Sequence, residues 1–375
     1  AGLAMGLVHM GTMTPHITEM LAYAHQTSHE RVCRGLVLGI AIAMLGRQEE
    51  ADTMIEQLTG DKDPVIRYGG AFAVALAYCG TGSTQATRKL LHIAVTDVSD
   101  DVRRAALTGL GFILFKQPHQ CPPLVQLLMD SFNPHVRYGA AMALGIACAG
   151  TALSSAIDLL EPLTRDPVDF VRQGAMIALG LVLVEATAAE EPRLESFTKN
   201  CLERIGNKNE AVLSKIGAIL AQGLVNASGR NVVISCATLN GNTNMRAVVG
   251  LAVFCQYWFW QPYILFACLA MTPTAVLALD SDLKQVPLKF KSNVQPSMFA
   301  YPQGMKPPEK STATKGPSAV LSYGHGKTPA KPKSAPAAAA AAAATTTTTT
   351  TEKQPEEETG KKSKRSEERR VGKEC

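Results

Sequence analysis

The sequence predicts an all-α repeat, a solenoid or toroid of helix pairs with a period of about 35 residues. Three observations carry that expectation. A basic residue recurs at Arg31, Arg67, Arg103, Arg137, Arg172 and Lys215, in steps of 36, 36, 34, 35 and 43 residues. Eight positions beyond each anchor stands a small residue: Gly39, Gly111, Gly145, Gly180 and Gly223, with Ala75 as the exception. Before several anchors lies a helix-start signal, Asp63-Pro64, Asn133-Pro134 or Asp166-Pro167, in which the first residue caps and proline occupies the first turn, where its missing N–H costs nothing.

Taken in order, the chain opens on AGLAMGLVHMGT, whose Gly6 and Gly11 match Gly145 and Gly150 in ALGIACAGT, so the reading begins inside a repeat unit and resembles the later part of a longer array. The unit around Asn133 shows the plan most clearly. Pro122–Ser131 has apolar spacing suited to an amphipathic outer helix, and a second helix is expected from about Pro134 to Ala149. In that helix Ala140, Ala141, Ala143, Gly145, Ala147 and Ala149 put small side chains on nearly every face. Such a helix has no ordinary polar side and is expected to be enclosed by neighbours, its axis close to theirs. The cost of interior glycine, about 0.5–1 kcal/mol each, is then offset by close backbone packing. Two layers follow, an inner one of small-residue helices and an outer one of more polar helices. A cation in the first helical turn opposes the helix dipole and calls for a partner; Asp63, Asp101, Asp130 and Asp166, at the unit junctions, are the expected partners of Arg67, Arg103, Arg137 and Arg172, with a solvated charge as the plainer alternative.

From Ala247 to Leu279 no charged residue appears, a run long enough to span a bilayer. Gln256, Gln261, Pro262 and Thr272-Pro273 break it, and Arg246 and Gly250 continue the repeat, so a buried central or terminal packing element is expected, with Trp258 and Trp260 filling space. The repeat domain is therefore read as residues 1–280. Residues 281–303 are read as a short extended or β segment, where Leu288 and Phe290 alternate with lysines. Residues 304–375 are read as a disordered low-complexity tail, with homopolymers from Ala337 to Thr351 and an ending, RSEERRVGKEC, that has the look of an artefact.

Charge and chemistry narrow the function. Residues 1–280 hold 20 Lys and Arg against 23 Asp and Glu, and 281–375 hold 17 against 9, so the basic excess belongs to the tail and gives no reason to expect nucleic acid on the repeats. Cys33, Cys79, Cys148, Cys236, Cys255 and Cys268 stand singly in apolar helix-like runs without CxxC, as reduced buried thiols of a cytosolic or nuclear protein do. His25 and His29 have the spacing of a zinc pair but lack a third ligand. Gly109-Leu110-Gly111 lacks the rest of a dinucleotide fingerprint and reads as helix packing; His119 and Cys121 read as a proline-rich connector, and Glu190 and Glu191 as solvated charge. No catalytic, cofactor or metal site is expected.

The segments RYGGAFAVALAYCGTG, DVRRAALTGLGFIL and RYGAAMALGIACAGT, with RAVVGLAVFCQYWFW and KSNVQPSMFAYP, resemble the proteasome/cyclosome repeat family from residue 1 to about 302. The resemblance implies a closed toroid of two concentric helix rings and a non-catalytic scaffold in the base of the 19S regulatory particle of the 26S proteasome, in cytoplasm and nucleus. It implies contacts with the ATPase ring and with other base and lid subunits. Family members end in an acidic tail that docks a ubiquitin receptor; the basic end of this chain departs from it, so docking is assigned to no residue here. The runner-up is a HEAT-type adaptor solenoid of another assembly, though HEAT units run longer, about 40–47 residues.

Overall fold

The structure, a computed structural model, describes residues 1–274 except 188, 189 and 239, together with 280–282, all within one compact unit that spans residues 1–306. The expectations for 283–303 and for the tail from 304 lie outside the described residues.

Fourteen α-helices are present among the described residues. They are α1 (Gly2–Val8), α2 (His16–Gln26), α3 (Glu30–Ala43), α4 (Asp52–Thr59), α5 (Pro64–Ala77), α6 (Thr84–Thr96), α7 (Asp100–Leu114), α8 (Cys121–Met129), α9 (Pro134–Ala147), α10 (Ser154–Leu163), α11 (Asp169–Val182), α12 (Arg193–Gly206), α13 (Val212–Val225) and α14 (Met245–Phe254). Odd-numbered helices from α1 to α13 pack each on the next to form the inner layer, and α2, α4, α6, α8, α10 and α12 each lie on the inner helix that follows. Asp63 and Asn133 cap α5 and α9 as expected, accepting from the amides of Val65 and His135. At the third such site the start is displaced: α11 begins at Asp169, and Asp166, which accepts from the Val168 amide and pairs with Arg137, precedes the helix.

Small residues set the spacing of the inner layer. A Cβ on Gly111 would stand 2.8 Å from the Ala143 carbonyl oxygen, one on Gly145 2.7 Å from Ala178 Cα, and one on Gly180 2.9 Å from Ala221 Cα, each on the next inner helix. A second glycine row, two positions beyond the anchor, faces the other way: Gly139 meets Arg104 and Leu107, Gly174 meets Tyr138, and Gly217 meets Gln173. Helices α9 and α11 are thus notched on both flanks, and the core residues of the inner helices are almost wholly buried. Gly39 departs from its row and faces Gly2 of the preceding α1, and a Cβ on Gly223 would meet nothing.

The units are also joined at their helix ends. The last carbonyls of an inner helix have no partner in their own helix. Here they receive amides from the turn that ends the previous unit: Gly46 donates to Leu76 (3.0 Å), Gly80 and Gly82 to Phe112 and Ile113 (2.9 and 3.1 Å), and Gly150 and Ala152 to Leu181 and Val182 (2.9 and 3.1 Å). The turn requires left-handed backbone, which is why Gly46, Gly80 and Gly150 recur there with φ of 74°, 65° and 67°.

After α13 the chain changes character. Strand β1 (Val232–Ile234) pairs antiparallel with β2 (Met271–Pro273), a small sheet that the repeat pattern does not foretell. Between them run α14, a 3₁₀ turn at Cys255–Trp258 and a longer 3₁₀ stretch at Gln261–Ala270. No described helix is long and apolar enough to cross a membrane.

Candidate functional site

The residues that carry unusual chemistry converge where the segment Met245–Trp260 crosses the inner helices. Every residue of α14 from Ala247 to Phe254 is buried. Gly250 lets the chain fold back on itself, since a Cβ there would stand 2.7 Å from Leu269 Cβ and 2.8 Å from the Phe266 carbonyl oxygen.

Beyond α14 the aromatic run binds five helices. Tyr68 of α5 donates its hydroxyl to Gln256 at 2.7 Å, and the hydroxyls of Tyr138 of α9 and Tyr257 share a hydrogen bond of 2.6 Å. Burial pushes all three tyrosines well above the ordinary phenol range, so they stay neutral. Trp258 inserts among Tyr138, His135 and Phe170, with ring centroids 5.0, 6.2 and 5.4 Å away. Burial and the neighbouring Arg104 guanidinium lower the His135 pKa and favour the neutral imidazole.

Two arginines complete this site. Arg34 of α3 and Arg104 of α7 are only 5% and 4% exposed. Both bind Asp101, at 3.0 and 2.9 Å, and Arg34 also binds Glu30 at 2.7 Å. Their planes cover the aromatic run: the Arg34 carbon lies 3.8 Å from the Phe259 ring centre and the Arg104 carbon 4.0 Å from that of Trp258. A guanidinium over an aromatic face keeps favourable electrostatics after losing water, which accounts for a buried Arg34 Nη1 without a hydrogen-bond partner. The arrangement binds protein to protein. Its tyrosine hydroxyls and Asp101 are engaged within the site, and the cavity among Tyr68, Arg104, Tyr138 and Trp258 holds only about 10 Å³.

The anchors predicted from sequence form a separate series at the N-terminal ends of the inner helices. Arg137 grips Asp166 of the next unit in a two-pronged pair (2.8 and 3.0 Å) and donates to the Ser131 and Phe132 carbonyls. Arg67 does the same with Asp97 (2.8 and 3.1 Å) and the Asp61 and Lys62 carbonyls. Arg172 pairs with Glu210 at 3.1 Å.

Several expected partners are corrected. Asp63 is occupied as a cap, and Asp97 takes its place. Asp101 turns inward to Arg34 and Arg104, leaving Arg103 with the Asp97 carbonyl and, at 3.8 Å, Asp100. Asp130 is exposed, as is Arg31, and Lys215 is half-buried; none of the three makes an ion pair among the described residues. Glu191, read as solvated charge, is buried and binds Arg193 at 2.7 and 2.9 Å. The two buried arginines were missed because neither occupies the repeating anchor position. The available signals were a charged residue at Arg34 where other units carry Gly70, Ala140 or Ala175, another at Arg104 where they carry Tyr68, Tyr138 or Gln173, and an unusual density of aromatic residues at 257–260.

His25 is engaged by Asp61 at 2.7 Å and by the Leu21 carbonyl, and no group of three metal-binding side chains occurs among the described residues. Cys121 is fully buried at the start of α8, away from nucleophilic use, and burial raises its thiol pKa. The eight described cysteines are free thiols.

Comparison with known proteins adds a second line. A HEAT-repeat family model matches residues 87–180, and the model for the 26S proteasome regulatory subunit RPN2 C-terminal domain matches 274–374. The chain is 54% identical to 26S proteasome non-ATPase regulatory subunit 1 homolog A of Arabidopsis thaliana, over 86% of this chain and 32% of that protein. Identity is 52% with 26S proteasome non-ATPase regulatory subunit 1 of Drosophila melanogaster, covering 86% and 32% of the two chains. With 26S proteasome regulatory subunit rpn2 of Schizosaccharomyces pombe it is 49%, covering 86% and 34%. The chain thus spans about a third of the length of these relatives.

Proposed function

From its homology to the 26S proteasome non-ATPase regulatory subunit 1 proteins, shared over 86% of the chain, we propose that this protein is a non-catalytic scaffold of the 19S regulatory particle. In this reading it organises other base and lid subunits, including the ATPase ring, for ubiquitin-dependent degradation in cytoplasm and nucleus. The single observation that carries the reading is the 54% identity, which runs through the repeats into the segment after them. Geometry supports it: Asp61, Asp166, His25, Tyr68, Tyr138 and Tyr257 are engaged in joining helices. The HEAT match suits any helical adaptor, whereas the RPN2 C-terminal match at 274–374 favours the proteasome over another assembly. Affinity purification of the full-length protein, followed by identification of its companions, tests the proposal. Proteasomal ATPases and lid subunits are expected; their absence in favour of another complex would sink it.

A further inference from the structure

One seam of the outer layer exposes several apolar side chains. Helix α6 packs on α5 and α7, and α8 on α7, α9 and α10, so a furrow separates the two outer helices. Gln85 and Lys89 of α6 face α4, where they line a small cavity with Asp52 and Glu56. The helical period therefore turns the opposite flank, Leu91 and Val95, toward α8. On α8 the buried row is Cys121, Val125 and Met129, and by the same repeat phase Leu124 and Leu128 flank the furrow with Leu127 at its crest.

The solvent-facing side of this seam is apolar. Val95 is 65% exposed and Leu127 86%. At the loop end Val98 and Phe132, in the turns before α7 and α9, are 90% and 100% exposed. Those turns are tied together by Asn133, which donates to Asp100 at 2.6 Å. One exposed leucine means nothing. Several exposed apolar side chains gathered at one seam are the pattern of a docking surface, and α8 has no charged residue in its nine positions. Charge marks the two ends differently: exposed Asp100 and Asp130 stand at the loop end, and exposed Arg88 stands on the first half of α6.

We propose that the furrow between α6 and α8 receives an amphipathic helix of a neighbouring subunit, its apolar stripe against Val95, Leu124, Leu127 and Phe132, with Lys or Arg at the end that meets Asp100 and Asp130. The inference rests on the scaffold reading and deepens it by giving that scaffold a contact face. A helix fits because the furrow runs along two parallel outer helices, and ridges of side chains at i, i+3 and i+4 fill such a groove.

The test uses the full-length protein in its assembled particle, with a photoreactive benzoylphenylalanine at position 127 and, as control, at the exposed Thr53 of α4. Irradiation is expected to give an adduct from 127 with one regulatory subunit, in a helical segment with an apolar stripe and a basic end, and none from 53. Replacing Leu127→Glu and Phe132→Glu together is expected to lower recovery of that subunit by about tenfold or more, with the melting temperature unchanged because both side chains are exposed. Asp130→Lys is expected to give a smaller loss that depends on salt. A particle that contains the protein but yields no adduct from 127 overturns the inference while leaving the scaffold reading intact. An adduct with a second copy, or with a non-helical segment, does the same. A protein that enters no particle overturns both.

Discussion

At Gly145 the space for a side chain is already taken by the Ala178 backbone, so any Cβ must push two inner helices apart. Gly145→Leu is expected to cost about 1–3 kcal/mol or more by overpacking, and Gly145→Ala less; denaturation in urea measures both, and a leucine variant as stable as the parent would refute the close-packed layer. Gly223 belongs to the same row by sequence yet faces open space. Gly223→Ala is therefore expected to stabilise by about 0.5–1 kcal/mol, since alanine restricts the unfolded chain at a helical position. The sequence made the first row of glycines legible because each recurs at one distance from its anchor. It could not separate Gly223 from the others, because contact depends on what the neighbouring helix brings, and a period records only what the helix itself carries. The second row, Gly139, Gly174 and Gly217, was equally periodic, and it went unread because alanine and cysteine replace it at Ala105 and Cys33.

Among elements, the joints at the two ends of the inner helices differ in kind. The glycine turns use backbone amides and depend on left-handed φ, whereas the anchors depend on charge. Arg137→Ala would leave Asp166, buried and unpaired, beside two carbonyls that lose their donor. A loss of about 3–5 kcal/mol is expected; Arg31→Ala, at an exposed anchor without an ion pair, is expected to change stability by less than about 0.5 kcal/mol. The joint at Asp97 adds a pH dependence. Burial raises the pKa of Asp97, but its hydrogen bonds from Arg67 and the Ser99 amide outweigh this and leave it below the usual carboxylate range. A depressed folded pKa gives stability that is present above the unfolded value, about 3.9, and lost as pH falls through the folded value. Asp97→Asn is accordingly expected to destabilise at neutral pH, with the gap to the parent closing in acid. Urea titrations at both pH values check the sign. That arginines join units could be argued from the helix dipole alone, whereas the choice of acid could not. Asp63 and Asp97 lie at neighbouring junctions, and only three-dimensional packing shows that one caps its own helix while the other reaches the arginine of the unit before it.

For the molecule as a whole, the segment from α14 to Trp260 fastens helices that are distant in sequence. Repeat arrays gain stability mainly between neighbouring units, yet Gln256, Tyr257, Trp258 and Phe259 touch α3, α5, α7, α9 and α11 together. Composition pointed to a packing element in this run, through its glutamines and prolines, and Ala247–Phe254 are buried in the array. Its placement was not legible, because Arg34 and Arg104 lie outside the repeat pattern. Trp258 is the point where the consequence can be measured. Trp258→Ala removes the ring that covers the Arg104 guanidinium and packs among His135, Tyr138 and Phe170. A loss of about 3–5 kcal/mol is expected for truncating a large packed aromatic. The distribution of that loss is more telling than its size. If the segment fastens the array, amide hydrogen exchange should quicken in α7, α9 and α11 as well as in α14, because those helices lose a shared contact and their opening becomes less costly. If exchange quickens only between residues 245 and 270, the inner helices stand by their own pairwise packing, and the aromatic segment rests on the array without holding it.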